Sequence, residues 1–234
     1  MTAGEFTAYG GSHWVVLAVF ALGTVAAVAG GRRLRNTPAA QPVSWCFAAV
    51  LLVSFLVVRF YSAAASGWSI DRSVPLQLSD LAGPVAAYAL WSQSFWACAL
   101  TYYWCLSLST QALFTPVLTV DFPQRDFFAF WGLHLFVVWA AIYLTWGLGI
   151  RPNWRAYRIT VAVSATWAVT AFVVNAFTGN NFGFVNRKPE TSSLLDLLGP
   201  WPWYLIPEVT LVLVAWALMT WPWVHAQQRH PLTR

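Results

Sequence analysis

Charge is what this chain has least of. Only 9% of its 234 residues are Asp, Glu, Lys or Arg, against 59% hydrophobic residues and a mean hydropathy of +0.57. Most of that charge falls in short breaks between apolar runs, so a water-facing globular surface is excluded and the surrounding medium is expected to be lipid. Cysteine is also scarce. The three present, Cys46, Cys98 and Cys105, are odd in number and all sit in apolar runs. Cys98 and Cys105 lie seven residues apart on one helical face, too far to bridge. A disulfide framework and a cysteine metal site are thereby excluded, and no cofactor is expected. No inverted repeat of the transporter kind is visible. The net charge of +5 and pI near 9.4 come from basic residues in the connections between runs, where they report topology; no nucleic-acid partner is expected.

What is present is a series of apolar runs. They predict an all-α, polytopic membrane protein with seven transmembrane helices at about 13–30, 43–65, 75–92, 95–114, 127–149, 156–178 and 200–223, one integral membrane domain over 1–234. A hydrocarbon core of ~30 Å needs about 20 helical residues. The third run is short and contains Gly83-Pro84; Trp91-Ser92-Gln93-Ser94 reads as a tight hairpin to the fourth. Trp201-Pro202-Trp203 and Trp221-Pro222-Trp223 punctuate the last run about 30 Å apart, as aromatic belts at the two interfaces would.

The basic residues orient the bundle. Arg32, Arg33, Arg35, Arg151, Arg155, Arg158, Arg229 and Arg234 fall on one side. Arg72, Arg125, Arg187 and Lys188 fall on the other, diluted by Glu5, Asp71, Asp121, Asp126, Glu190 and Asp196. The positive-inside rule then puts the amino terminus outside and the carboxyl terminus in the cytoplasm of a plasma-membrane protein. No Lys or Arg precedes the first run and three Arg follow it, the reverse of a cleaved signal peptide.

Against that background Arg59, Asp80, His134 and Glu208 stand out. An ionisable group in hydrocarbon costs several kcal/mol unless it is paired, and by default marks a functional site. Counted from the span ends, all four lie about 7–12 Å below the outer edge, and Gln77, Ser79, Gln111, Asn175 and Tyr204 share that depth. Toward the cytoplasm the polar content is little more than Ser, Thr and Cys, which helix carbonyls satisfy. The asymmetry predicts a polar cavity near the outer leaflet. Ser79 and Asp80 point about 100° apart on a helix, so a base for Ser79 must come from another helix. His134 is at a compatible depth; Asp80 or Glu208 would orient it, and Arg59 or Asn175 would meet an oxyanion or phosphate. Gln77 shares a helix face with Asp80, and Tyr204 completes the substrate-binding set. The same residues also suit a lipid- or solute-binding protein, or a structural subunit whose ion pairs fix helix order. Tyr102, Tyr103, Ser107 and Gln111 form a face that lines a cavity or meets its neighbours.

Outside connections contain Asp121-Phe122-Pro123-Gln124-Arg125-Asp126 and the run from Asn180 to Pro189, followed by Leu194-Leu195-Asp196-Leu197-Leu198, amphipathic enough to lie in the interface.

Three segments carry a resemblance. They are Pro75-Leu76-Gln77-Leu78-Ser79-Asp80-Leu81, Gly132-Leu133-His134, and Leu195-Asp196-Leu197-Leu198-Gly199-Pro200-Trp201-Pro202-Trp203-Tyr204. The chain resembles, over nearly its whole length, the YwaF-type bacterial integral membrane proteins. More distantly it is similar to a eukaryotic membrane protein that acylates ether phospholipids and to small multispan hydrolases of fatty-acid esters. In those relatives a span-borne Cys or Thr and a span-borne His are taken as the catalytic pair. The resemblance therefore implies Ser79 as nucleophile and His134 as base, with membrane lipids as partners. Bacterial members often carry Cys where this chain has Ser79 and His where it has Gln77. A serine hydroxyl depends more than a thiol on a positioned base.

Overall fold

The computed structural model describes residues 4–66, 74–189 and 194–229. Arg72, Asp71, Glu190 and Arg234, used above in the charge count, lie outside the described residues.

The apolar runs fold as helices because a backbone in hydrocarbon must satisfy its own hydrogen bonds. Helix α1 is Gly11–Leu34, α2 is Ala40–Ser66 and α3 is Leu78–Ser92. Helix α4 covers 95–114 in three pieces: α-helical Phe95–Trp104, a π-helical turn Cys105–Ser109, and a last α-turn Thr110–Phe114. Helix α5 is Arg125–Ile142, continued by a second π-turn Tyr143–Gly147. Helix α6 is Trp154–Thr178 and α7 is Leu205–Arg229. Among the described residues, five helices (α1, α2, α5, α6 and α7) are long and apolar enough to cross a membrane. Helix α3 has 15 residues, a rise of about 22 Å, and α4 is interrupted by its π-turn.

The two shorter helices are the centre of the bundle. Ala82, Ala86, Ala87, Ala89 and Leu90 of α3 are buried, and so is every residue from Ala97 to Trp104 of α4. Around them α1, α2, α6 and α7 expose long apolar faces. Small residues set the close approaches, as expected where helices pack without a hydrophobic drive from water. A Cβ on Gly83 would lie 3.0 Å from the Phe55 ring, and one on Gly31 only 2.5 Å from the Gly147 Cα.

Helices α2 and α3 run antiparallel in a register readable side chain by side chain. Arg59 meets Asp80, Phe55 meets Gly83, and Trp45 stacks on Trp91 at 5.2 Å. The hairpin after α3 forms as expected, with Gln93 in the left-handed region at φ 49°. Pro84 sits inside α3 without breaking it.

The end of the chain departs from the tryptophan ruler. Residues 200–204 form turns, and α7 begins only at Leu205, so Trp201-Pro202-Trp203 precedes the helix. Pro222 lies within α7, where Trp221 faces outward while Trp223 turns inward, its Nε1 donating to the Tyr102 hydroxyl at 2.9 Å. Helix α3 likewise begins at Leu78, three residues after Pro75, because the X-Pro segment is extended and Gln77 takes the N-cap position.

The half of the bundle nearer the carboxyl-terminal end of α7 is held by aromatic donors rather than by Ser and Thr alone. Tyr103 Oη and Thr220 Oγ1 are 2.6 Å apart, Trp104 Nε1 donates to Ser164 Oγ at 2.9 Å, and Trp216 Nε1 donates to Ser107 Oγ at 3.3 Å. The Tyr102–Ser107 face of α4 thus meets its neighbours, α6 and α7.

Candidate functional site

Helix α3 begins beside the later turns of α2, and among the described residues this places one ion pair between the two helices. Arg59 Nη1 lies 3.5 Å from Asp80 Oδ1, with both side chains about a quarter exposed. Asp80 occupies the first turn of α3, where its charge also complements the helix N-terminus. Ser79, one residue earlier, is exposed; among the described residues its hydroxyl has no hydrogen-bond partner.

Three of the predicted site residues gather a single loop. Asn175, fully buried near the end of α6, donates through Nδ2 to the Phe182 carbonyl at 3.0 Å and to Asn186 Oδ1 at 2.8 Å, and accepts from the Phe182 amide at 2.8 Å. Gln77 Oε1 accepts from the Gly183 amide at 2.9 Å. Buried Tyr204 donates its hydroxyl to the Phe184 carbonyl. Trp201 Nε1 joins them at the Val185 carbonyl, 3.2 Å away. The 182–186 loop is therefore pinned to the ends of α3 and α6 and to the turn before α7. Lys188 extends this cover, 3.5 Å from Asp196 and over the Tyr204 ring.

His134 projects from α5, half-buried. Its Nδ1 lies 2.6 Å from the Phe130 carbonyl. A carbonyl only accepts, so Nδ1 carries the proton and Nε2 holds the lone pair. Among the described residues Nε2 has no partner, and no hydrogen bond links His134 with Ser79. Glu208, half-buried in the first turn of α7, makes no ion pair among the described residues.

His13, in the first turn of α1, is fully buried. Its Nδ1 accepts from the Tyr9 amide at 2.8 Å, its Nε2 reaches the Leu113 carbonyl at 2.8 Å, and its ring stacks on Trp131 at 5.3 Å. It ties the amino-terminal segment to the end of α4. Nothing in a lone His one residue ahead of Trp14 signals that role.

A family model covers most of this architecture, matching residues 8–220. The chain belongs to the TMEM164 family. Compared with curated proteins and with solved structures, it matches none. The match spans α1 through most of α7, and with it Arg59, Ser79, Asp80, His134 and Glu208. Family membership, together with the apolar helices, makes this a multi-pass membrane protein.

Proposed function

We propose that this TMEM164-family protein crosses the plasma membrane seven times, amino terminus outside, and transfers or hydrolyses an acyl group of a membrane lipid. The observation that carries the reading is the state of His134. Its Nδ1–H is held by Phe130 and its Nε2 is left with a lone pair and no partner among the described residues, the arrangement a general base requires. In the reaction, Ser79 Oγ attacks the ester carbonyl of a bound lipid and its proton moves to His134 Nε2. The Oγ–C bond forms, the ester C–O bond breaks, and the leaving alkoxide takes the proton back. The acyl-serine is then attacked by the hydroxyl of a lysolipid, giving transfer, or by water, giving hydrolysis; the acyl C–Oγ bond breaks and the attacking hydroxyl's proton passes through His134 Nε2 to Ser79 Oγ. The Phe130 carbonyl, rather than Asp80 or Glu208, orients the base, and Arg59, beside Asp80, is the contact for a phosphate. Gln77, Asn175 and Tyr204 hold the loop over the site.

The test is a pair of single substitutions. Ser79→Ala and His134→Ala are each expected to abolish labelling by a fluorophosphonate probe and to shift the cellular lipid profile. Wild-type labelling and lipids in both variants would overturn the reading.

A second reading has support in the exposed Ser79, which is not joined to His134. In it the polar layer binds a lipid headgroup or small solute without covalent chemistry. Substitution of Arg59 or Glu208 would then abolish binding while Ser79→Ala left it intact.

A further inference from the structure

The two ends of the bundle differ in charge. Asp80, Asp126 and Glu208 stand in the first turns of α3, α5 and α7, and Glu5, Asp121 and Asp196 lie in the connections of that same end. The opposite end, where α1 and α5 finish and α6 begins, has no Asp or Glu among the described residues. It carries exposed arginines instead. Arg32, Arg33 and Arg35 close α1, and Arg151, Arg155 and Arg158 surround the start of α6.

Three of these arginines close on one turn. Arg32 Nε donates to the Trp146 carbonyl at 3.4 Å. The Arg35 guanidinium lies where a side chain at position 149 would be, its Nη2 only 1.8 Å from the place of a Cβ on Gly149. Gly149 is also left-handed, at φ 82°, so the turn calls for glycine on both counts. Arg32 and Arg35 are three residues apart and share a face of α1. Arg151 follows Gly149 by two residues, which keeps their Cα atoms within about 7 Å. Its guanidinium lies over the Trp223 ring at 5.6 Å, and Trp223 packs at 5.4 Å on Trp146, whose carbonyl Arg32 holds. Arg33 and Arg158 make no hydrogen bond, ion pair or ring contact among the described residues.

Capping of α5 accounts for one N–H of this set, because Arg32 Nε–H satisfies a carbonyl that the helix end leaves open. Both Nη groups of Arg32, and the whole donor forks of Arg35 and Arg151, have no acceptor among the described residues. Guanidinium groups gathered around one turn repel one another unless an anion lies between them. The level of the turn says which anion is at hand. Trp45, Trp91, Trp154 and Trp221 are exposed at this same end, an aromatic belt of the kind that marks the membrane–water interface, where lipid phosphates lie. The guanidinium fork matches two phosphate oxygens at once. No described carboxylate is present here to meet the cation of a zwitterionic headgroup, so the charge balance favours a headgroup of net negative charge.

We propose that Arg32, Arg35 and Arg151 form a binding site for the phosphate of an anionic phospholipid, held against the turn 146–151. Ser79 and Asp80 start α3 at the opposite end of the bundle, so this site stands whether or not that layer is catalytic.

The test is lipid binding by the full-length protein in detergent, read by native mass spectrometry with phosphatidylglycerol and phosphatidylcholine of the same acyl chains. Phosphatidylglycerol is expected to bind at least about tenfold more tightly, since each arginine near an anionic lipid contributes about fivefold. Arg35→Gln and Arg151→Gln should each weaken phosphatidylglycerol binding about fivefold and leave phosphatidylcholine unchanged. Arg32 stays in place because it also caps α5. Arg33→Gln and Arg158→Gln remove the same charge from the same end, and at physiological ionic strength, where distant charges are screened, should change the preference by less than about twofold. Arg35→Lys and Arg151→Lys keep the charge and lose the fork; they should weaken binding by less than the glutamine variants, and they decide the matter if a glutamine variant fails to fold. Equal affinity for the two lipids would overturn the proposal. So would equal losses in all four glutamine variants, which would mean diffuse surface charge. Displacement of the lipid by an equal concentration of inorganic phosphate would overturn it too, assigning the turn to a free anion.

Discussion

His134 donates its Nδ1–H to the carbonyl of Phe130 across 2.6 Å, one turn back on the same helix. His13 contrasts with it, because both of its ring nitrogens are taken up, by the Tyr9 amide and the Leu113 carbonyl. The two histidines should therefore fail differently. His134→Ala is expected to leave thermal stability within a few degrees of wild type and to remove activity or ligand response. His13→Ala leaves the Leu113 carbonyl and the Tyr9 amide without partners in a buried site and should cost about 1–3 kcal/mol for each group stranded. Thermal unfolding of both variants in detergent, read beside lipid profiles, separates the roles. Equal destabilisation by the two would place His134 among the packing residues.

Arg59 and Asp80 couple α2 to the start of α3. Arg59→Ala and Asp80→Ala should each lower stability, and the doubly reversed Arg59→Asp, Asp80→Arg protein should regain part of the loss. Polar pairs between membrane helices couple by about 0.6 kcal/mol on average and at most near 1.7 kcal/mol, so the recovered part should be of that size. A double-mutant cycle in reversible unfolding measures it; additive losses would show that the two charges act apart.

The ionisable groups themselves were legible in the sequence, because such a residue is conspicuous in a run of Val, Leu and Phe. Their partners were not. Depth follows from counting residues along a helix, whereas partnership depends on azimuth and on the path of loops, which carry no periodicity. Asn175, Gln77 and Tyr204 share the predicted layer, yet their described hydrogen bonds go to the 182–186 loop, whose fold no spacing rule anticipates. Trp223 looked like an interface residue from the repeated Trp-Pro-Trp and instead reaches Tyr102. Helix bodies were legible because lipid demands long apolar runs; the π-turns at Cys105–Ser109 and Tyr143–Gly147 leave no compositional trace.

The Asn175 side chain gives a local prediction. Asn175→Ala strands the Phe182 amide and carbonyl and the Asn186 Oδ1 at once. The expected effect is faster amide exchange and proteolysis confined to 181–187, with a stability loss of about 1–3 kcal/mol. Asn175→Asp retains the acceptor for the Phe182 amide but none of the donors, so it should protect the loop only in part. Hydrogen-exchange mass spectrometry resolves the segment, and exchange unchanged from wild type in the alanine variant would show that the loop is held elsewhere.

Gly30 and Gly31 are neighbours in sequence with opposite expected tolerance. A Cβ on Gly30 meets nothing within 4 Å, while one on Gly31 would sit 2.5 Å from the Cα and 3.0 Å from the carbonyl carbon of Gly147. Those are backbone atoms, so relief requires α1 to move away from the π-turn that ends α5, loosening the contacts of that end of the pair. Gly30→Ala should be neutral or slightly stabilising, since alanine is favoured over glycine in helices by up to about 1 kcal/mol. Gly31→Ala should destabilise by about 1–3 kcal/mol, the usual range for overpacking, and Gly31→Leu by more. The comparison cancels composition and depth, leaving only the approach of α1 to Gly147. Equal melting temperatures for Gly30→Ala and Gly31→Ala would mean that this approach is looser than the geometry described here.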